Sequence, residues 1–348
     1  MLSLHQFYEK INSDEGKQEI LTAFSNIDYK SSTQADEFFR TYCVGQWNAD
    51  RPSVIYHQRD YIGRVDSYQD LLLLLKESDK EKFNKIHKGT PYCFLGWLYI
   101  DVGDYEKGVF YIDLAILEDI RMHGADWCNT PATRLLTLEE IAQDVPIHKR
   151  IVKDIKKLLV AEIAEYKEII TDSKLDSLDA FVRNNLKNSH HRTIVTSLYA
   201  FMLQQVSLQN LMGLRGGESG SIEPFLIHLR KGTIILETIL KEVYSSLSGS
   251  TLHKIFTDPF VMKDSGLKLL DSGKVGSTLE DVVKVLIPFF DKETNEPQNK
   301  WITIAYRLRN VTSHGLPWSE IIDNKIYKKL YQQVLFSIFY LVDKKYSL

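Results

Sequence analysis

The sequence predicts an all-α protein. Only nine of its 348 residues are proline, and long stretches show no strand-like alternation of apolar and polar residues. Several segments instead carry apolar residues at spacings of three and four, which is typical of amphipathic helices. Apolar residues make up 44% of the chain, which is ample material for a hydrophobic core.

The length predicts two domains. A single core rarely grows beyond ~250–300 residues, and this chain is longer. Residues 171–189 are polar and broken, so we place the boundary there. The expected units are a helical N-terminal domain over residues 1–175 and a helical bundle over residues 190–348.

The clearest N-terminal pattern covers residues 90–120. Large and small residues recur there at helical spacing, and Gly103 with Asp104 separates two helices. The first helix contains Leu95, Gly96 and Tyr99, and the second contains Tyr105, Gly108, Phe110 and Ala115. We expect the small residues to let the two helices approach closely and the aromatic residues to fill the gaps between them.

This pattern resembles a tetratricopeptide repeat, whose residues run W-x2-L-G-x2-Y and then G-x-Y-x2-A. Gly108 stands where alanine is usual, and the sequence has no second copy of comparable quality. The resemblance implies a helix pair that could bind a protein partner, and it implies no particular ligand.

The C-terminal part begins after a long amphipathic helix predicted over residues 145–170. Five further helices with short connections indicate a helical bundle. They are expected over residues 191–217, 222–247, 278–290, 299–315 and 319–346.

The stretch "RLRNVTSHG", residues 307–315, carries the candidate chemistry. Its helix has an apolar side made of Trp301, Ile304, Ala305 and Leu308, followed by polar residues just before the helix ends at Gly315. Asn310 and His314 are four residues apart and therefore share one helix face. We take Arg309, Asn310 and His314 as the candidate catalytic residues.

These residue types suit metal-independent cleavage of RNA. Histidine titrates near neutral pH and can transfer a proton, whereas arginine presents a fixed, permanently charged fork to a phosphate. Asparagine can orient either of them. Because no carboxylate cluster stands beside them to hold a metal, the attacking nucleophile would be the 2′-hydroxyl of the substrate, which only RNA supplies. We therefore expect no cofactor and no metal.

Arg309-Asn310-Val311-Thr312-Ser313-His314 resembles the R-N-x3-H form of the R-x4–6-H motif of the HEPN superfamily. The resemblance covers about residues 191–346. It implies a helical bundle, products with 2′,3′-cyclic phosphate and 5′-hydroxyl ends, and a homodimer that brings two motifs together. It also implies a ribonuclease that acts as a regulated effector, as in prokaryotic antiviral defence and toxin systems.

Two alternatives to catalysis stay open. Arginine and asparagine near a helix C-terminus can cap its last carbonyl groups, and histidine is favoured there by the helix dipole. In that case the protein would be a non-catalytic dimeric scaffold that binds a partner through the tetratricopeptide-like helices. A helical repeat protein unrelated to HEPN would follow if the last helix did not pack against the helix before it.

A second polar stretch, "RNNLKNSHHR" over residues 183–192, is a candidate RNA-binding segment. Arg183 and His190 also match R-x6-H, but the stretch precedes the bundle, which favours contact with RNA over catalysis. The predicted RNA-binding residues are Arg183, Lys187, His190, His191, Arg192 and Arg307. Asp113, Glu118 and Asp119 are instead expected to form a solvated helix face, and His228 and His253 to have core or surface roles.

Charge and cysteine content limit the classes of protein to which the chain can belong. The formal net charge is −3, so any contact with nucleic acid must come from a local patch. Three distant cysteines without a CxxC pair predict neither a zinc site nor disulfides, which suits a reduced cytoplasmic protein. No secretory signal or membrane span is expected. The last predicted helix carries more aromatic residues than one bundle face needs, and we expect them to form the homodimer surface. They are Tyr327, Tyr331, Phe336, Phe339 and Tyr340.

Overall fold

The computed structural model describes residues 4–42, 54–141, 145–214, 222–271, 278–290, 294–311 and 322–346. Every regular element among these residues is a helix, so the all-α prediction is confirmed. None of the helices found in these ranges has the length and apolar character needed to cross a membrane.

The chain divides into two compact units. Unit 1 comprises residues 1–156 with 185–196, and unit 2 comprises residues 157–184 with 197–348. Two of the boundaries fall inside long helices, Pro146–Ile169 and Ser189–Leu214, and not in the polar segment 171–189. The predicted domains over residues 1–175 and 190–348 stay a prediction.

Most of unit 1 is built from the helices that precede residue 140. They are α1 (Leu4–Asn12), α2 (Asp14–Ser25), α3 (Ser32–Tyr42), α4 (Val54–Ser78), α5 (Lys80–Lys85), α6 (Gly89–Asp101), α7 (Tyr105–Met122) and α8 (Pro131–Leu136), with a 3-10 helix at Gly124–Asn129. A core that includes Phe7, Phe24, Phe39, Leu71 and Leu95 joins α1, α2, α3, α4 and α6.

The predicted helix pair at residues 90–120 is present as α6 and α7, which pack against each other. A Cβ added at Gly96 would lie 2.6 Å from Cδ1 of Ile112, and one at Gly108 would lie 2.4 Å from Cγ1 of Ile100. The two glycines therefore permit the close approach that the sequence predicted. Phe110 differs from expectation, because its side chain is 56% exposed and fills no gap between the helices.

The helices that follow include the bundle. They are α9 (Pro146–Ile169), α10 (Asp179–Asn185), α11 (Ser189–Leu214), α12 (Glu223–Val243), α13 (Leu252–Phe256), α14 (Pro259–Ser265), α15 (Leu279–Phe290), α16 (Pro297–Val311) and α17 (Asn324–Tyr346), with a 3-10 helix at Ser245–Leu247. Within unit 2, α17 packs against both α12 and α16. The possibility that the last helix stands apart from the one before it is thereby excluded.

Close packing in unit 2 depends on Gly232 of α12. A Cβ there would lie 2.5 Å from Cζ of Phe201 in α11 and 2.7 Å from Cγ1 of Val334 in α17. The aromatic residues of α17 lie in this core, where Tyr327, Tyr331 and Phe339 are 0% exposed, Phe336 is 3% exposed and Tyr340 is 6% exposed. The expectation that they form a dimer surface is therefore wrong, because the surrounding helices of the same unit cover them.

Candidate functional sites

The candidate catalytic motif begins at the end of α16. Trp301, Ile304, Ala305 and Leu308 are buried as the sequence predicted, and Ile302 and Thr303 between them are buried as well. Arg309 and Asn310 are only partly buried. His314 lies outside the described residues, since the description of this helix stops at Val311.

Arg309 is held in place by a carboxylate of α12. Its Nε donates to Oε2 of Glu237 at 3.2 Å, and 39% of its side chain is exposed. Burial raises the pKa of Glu237, but Lys241 and Arg309 outweigh that effect and hold the pKa below its usual value. Glu237 is thus a carboxylate that stays ionised and orients the guanidinium group. Sequence reasoning missed it, because Glu237 lies 72 residues before Arg309.

Buried polar side chains fix α16 in unit 2. Oδ1 of Asn299 accepts a hydrogen bond from the backbone amide of Lys268 at 2.8 Å, and Oγ1 of Thr303 accepts one from the amide of Leu270 at 2.9 Å. Both side chains are essentially inaccessible to solvent. These bonds hold the first half of α16 against residues 268–270, and α17 packs against the same helix.

The predicted RNA-binding residues fall in different environments. Lys187 and His190 are exposed and His191 is partly buried at the start of α11, where the backbone amides of both histidines donate to Asn188. Arg183 is exposed on α10 and pairs with Asp179. Arg307 is partly buried on α16.

Arg192 corrects the prediction. Its side chain is 0% exposed, its Nε donates to Oδ1 of Asp113 at 2.5 Å, and its Nη1 donates to the carbonyl of Leu186 at 2.9 Å. A guanidinium buried in this way and neutralised by Asp113 has no surface to offer a phosphate. We therefore do not retain Arg192 as an RNA contact.

Unit 1 contains a buried cluster of charged residues that sequence reasoning missed. Nε2 of His87 lies 2.9 Å from Oδ1 of Asp119, and its Nδ1 lies 3.2 Å from Oδ1 of Asp36. Nε2 of His123 lies 3.7 Å from the same oxygen of Asp119. The ligand atoms of His87, Asp119 and His123 all lie within 4.8 Å of one another.

The environment controls the charge of His87. Burial lowers its pKa, but hydrogen bonds with Asp119 and Asp36 outweigh burial and raise the pKa to about 9. Burial alone would raise the pKa of Asp36, yet its hydrogen bonds with His87 and Thr90 leave that pKa lowered. At neutral pH the ring is therefore an imidazolium that donates one N–H to each carboxylate.

The cluster lines a cavity of about 320 Å³. Its wall includes the apolar side chains of Phe94 and Trp97 and the thiol of Cys93, whose pKa burial raises well above its usual value. Because an inaccessible, protonated thiol is a poor nucleophile, Cys93 acts as a wall residue.

The carboxylates of α7 are not the solvated face that the sequence predicted. Asp119 is 4% exposed. Oε1 of Glu118 lies 3.1 Å from Nζ of the buried Lys88, and Asp113 pairs with Arg192. One sequence signal could have marked the cluster: Asp119 and His123 are four residues apart on a helix and so share a face. Nothing local connects them to His87, which precedes Asp119 by 32 residues.

His228 confirms its predicted core role in unit 2. It is 2% exposed, its Nε2 donates to the carbonyl of Phe201 at 2.7 Å, and its Nδ1 accepts from the hydroxyl of Tyr327 at 2.9 Å. Burial lowers its pKa to about 4. A ring that is neutral and hydrogen-bonded on both sides is a structural residue.

No known protein-family model, no curated protein and no solved structure matches this chain.

Proposed function

We propose that this protein is a metal-independent endoribonuclease of the HEPN type, with Arg309, Asn310 and His314 as its catalytic residues. The observation that carries the proposal is the partly exposed guanidinium of Arg309 near the end of α16, which Glu237 orients. Arg309 and Asn310 also lie in α16, which is the last helix before α17 among the described residues, and α17 packs against it. This order of helices agrees with what the resemblance to HEPN domains implies.

The proposed reaction is an internal transfer at one phosphodiester of RNA. The 2′-oxygen forms a bond to phosphorus, the bond from phosphorus to the 5′-oxygen breaks, and the leaving oxygen takes up a proton. His314 transfers protons, Arg309 neutralises the phosphate and Asn310 maintains their geometry. The products carry a 2′,3′-cyclic phosphate and a 5′-hydroxyl.

A homodimer belongs to this proposal, because one histidine per chain is little for both proton transfers. The aromatic residues of α17 cannot provide the interface, since they are buried. Ile227 and Ile234 of α12 offer another apolar surface. They are 56% and 50% exposed and lie two turns apart on the helix that carries Glu237. Light scattering should detect a dimer at micromolar concentration, and Ile234→Glu should shift it toward monomer and lower activity.

RNA contacts are proposed for Arg183, Lys187, His190, His191 and Arg307. Each phosphate contact that is lost should weaken binding and reduce its dependence on salt concentration. Lys187→Ala is the most direct variant, because Lys187 is exposed. We expect a weaker RNA affinity with an unchanged cleavage pattern.

The decisive experiment incubates the full chain with an end-labelled mixed RNA pool in EDTA. His314→Ala and Arg309→Ala should each lose about 10²–10⁴-fold in rate, and Arg309→Lys should recover little because a point charge cannot replace the bidentate fork. Asn310→Ala should have the mildest effect of these changes. The matched control is His253→Ala, an exposed histidine outside the motif.

Two further measurements sharpen the result. A substrate with 2′-deoxyribose at the cut position should resist cleavage, and melting curves recorded in EDTA would reveal any loss of activity through unfolding. Full activity in His314→Ala, or cleavage of the 2′-deoxy substrate, would contradict the mechanism.

A second candidate function is a scaffold that binds a protein partner through the N-terminal helices. It is favoured by Phe110 and Leu117, which are 56% and 47% exposed and lie two turns apart on α7. If the protein cleaves no RNA but a Phe110→Ser, Leu117→Ser variant loses a partner that the native chain retains, this candidate replaces the ribonuclease.

A further inference from the structure

We propose that His87, Asp119 and His123 bind a divalent first-row transition ion, for which Zn²⁺ is the best match. The site belongs to unit 1, so the inference is independent of the proposed ribonuclease. The three ligands converge there, the carboxylate of Asp36 supports His87, and there is space beside them.

The ligand set suits zinc. Two imidazoles and one carboxylate are the protein ligands of many zinc centres that keep a fourth position open. Zinc binds nitrogen and oxygen at about 2.0–2.2 Å, so neighbouring ligand atoms lie roughly 3.3 Å apart around a tetrahedral ion. Here Oδ1 of Asp119 lies 2.9 Å from Nε2 of His87 and 3.7 Å from Nε2 of His123. The ion would replace the proton shared by His87 and Asp119, and that proton would pass to solvent.

Among the ligands, His123 has to move furthest. The separations within the set reach at most 4.8 Å, so a rotation of His123 and a slight widening of the contact between His87 and Asp119 close them around an ion. His87 and Asp119 have side chains only 2% and 6% exposed and are fixed by their surroundings, whereas the side chain of His123 is 26% exposed and has room to rotate. Its ring already meets the ring of His87 edge-on, with centroids 4.8 Å apart.

Asp36 provides the support that a metal-binding histidine usually has. It accepts the Nδ1 proton of His87 at 3.2 Å, and its second partner, the hydroxyl of Thr90, donates at 2.6 Å. An imidazole held in this way directs Nε2 toward the ion and becomes a stronger ligand. Asp36 therefore does not need to move for His87 to bind an ion while keeping its hydrogen bond to Asp36.

The chain leaves space at the ligand atoms. A Cβ at Gly89 would lie 2.5 Å from both Oδ1 of Asp119 and Nε2 of His87, so only glycine keeps that position clear. All three ligands line the cavity of about 320 Å³, which gives a fourth, non-protein ligand a place. Mg²⁺ and Ca²⁺ fit poorly, because both prefer oxygen ligands and this set has two nitrogens.

A purely structural role predicts a different behaviour. In that case His87 would be an imidazolium that links the carboxylates of α3 and α7. An added cation would compete with it and would not raise the melting temperature. The two roles are therefore separable by adding metal to the intact protein.

The test uses the full chain after dialysis against EDTA and removal of the chelator. Zn²⁺ should bind with one ion per chain by native mass spectrometry and raise the melting temperature, whereas Mg²⁺ should do neither. Co²⁺ serves as a spectroscopic probe, because its visible absorption intensifies when it enters a tetrahedral or five-coordinate protein site. An unchanged melting temperature with Zn²⁺ together with an unchanged Co²⁺ spectrum would overturn the proposal.

Variants identify the ligands. His123→Gln should remove the Co²⁺ absorption and the thermal shift while the protein still folds, because His87 and Asp119 keep their hydrogen bond. Asp119→Asn should weaken Zn²⁺ binding as well, and Asp36→Asn should lower the affinity about 10- to 100-fold while the Co²⁺ absorption remains. His253→Gln is the matched control. Equal Zn²⁺ binding by His123→Gln and His253→Gln would show that the ion binds elsewhere and overturn the assignment.

Discussion

His87 in unit 1 and His228 in unit 2 are equally buried, each 2% exposed, yet their proton affinities shift in opposite directions. The pKa of His87 is raised to about 9 and that of His228 is lowered to about 4. His87 lies between two carboxylates, whereas His228 contacts a carbonyl, a hydroxyl and the rings of Phe201 and Tyr331. Burial alone therefore does not determine the charge of a histidine; the partners that face its two nitrogens decide it.

The same contrast holds for carboxylates. Asp36 has His87 and Thr90 as partners, and its pKa is lowered. Glu162 of α9 is buried with Glu165 nearby, and its pKa is raised to about 7 by burial and by that second carboxylate, with Lys328 opposing. Oε2 of Glu162 has no hydrogen-bond partner among the described residues. Asp36 thus has a cationic partner that keeps it ionised, whereas Glu162 lacks one and is held toward its neutral form.

The largest expected effect follows from removing His87. His87→Ala leaves Asp119 and Asp36 without their cation, and loss of one partner of a buried ion pair typically costs about 3–5 kcal/mol. We expect a loss of about 4 kcal/mol in the stability of unit 1 at pH 7 in EDTA, measured by hydrogen exchange of peptides from α7. The exposed His253→Ala should change stability by less than about 0.5 kcal/mol. A loss below 1 kcal/mol for His87→Ala would show that the pairing in unit 1 contributes little.

The second-largest effect is a loss of stability at low pH that is caused by His228. The folded pKa of about 4 lies below the ordinary value of 6.5, so the unfolded state binds the proton first as the pH falls. Stability should therefore be full above pH 6.5 and decline by about 3 kcal/mol by pH 4. Urea unfolding followed at peptides of α12 measures the decline, and His228→Gln should flatten it because an amide does not titrate. If the native protein and His228→Gln lost equal stability at low pH, the decline would come from other titratable groups.

Glu162 should show the opposite pH window. Its folded pKa of about 7 lies above the ordinary value of 4.5, so its contribution is present below pH 4.5 and is lost as the pH rises to 7. Glu162→Gln should stabilise unit 2 at pH 8 by about 2 kcal/mol, since the amide carries no charge but still leaves a buried polar group poorly paired. At pH 4 the two proteins should be equally stable. Equal stability at pH 8 would mean that Glu162 reaches water in the folded protein.

The smallest effect is expected for the partly exposed pair of Arg309 and Glu237. Exposed ion pairs contribute about 0.2–1 kcal/mol, so Arg309→Met should lower stability by less than about 1 kcal/mol. The melting temperature should therefore stay nearly constant while RNA cleavage is lost. A large drop in melting temperature would place Arg309 among the structural ion pairs of the chain and favour the helix-cap interpretation of the motif.

Local pattern was sufficient for much of the fold. Helices α9 and α15 begin and end within about one residue of the predicted segments, because an apolar stripe marks both and Thr278 caps α15. The short helices α13 and α14, between Leu252 and Ser265, were not predicted, because a helix of five to seven residues is stable only through packing. The apolar faces also did not reveal which aromatic residues of α17 are covered.

The sequence by itself determined the all-α class, the close pair of helices around Gly96 and Gly108, and the burial of Trp301, Ile304, Ala305 and Leu308 on α16. These features depend on neighbours within one or two helical turns, which the order of residues specifies. Only the tertiary structure decided that Arg192 is buried against Asp113, that Glu237 orients Arg309, and that His87 lies between Asp36 and Asp119. Those contacts join residues 32 to 79 positions apart, and a charge acquires its partner and its pKa only when packing brings such distant residues together.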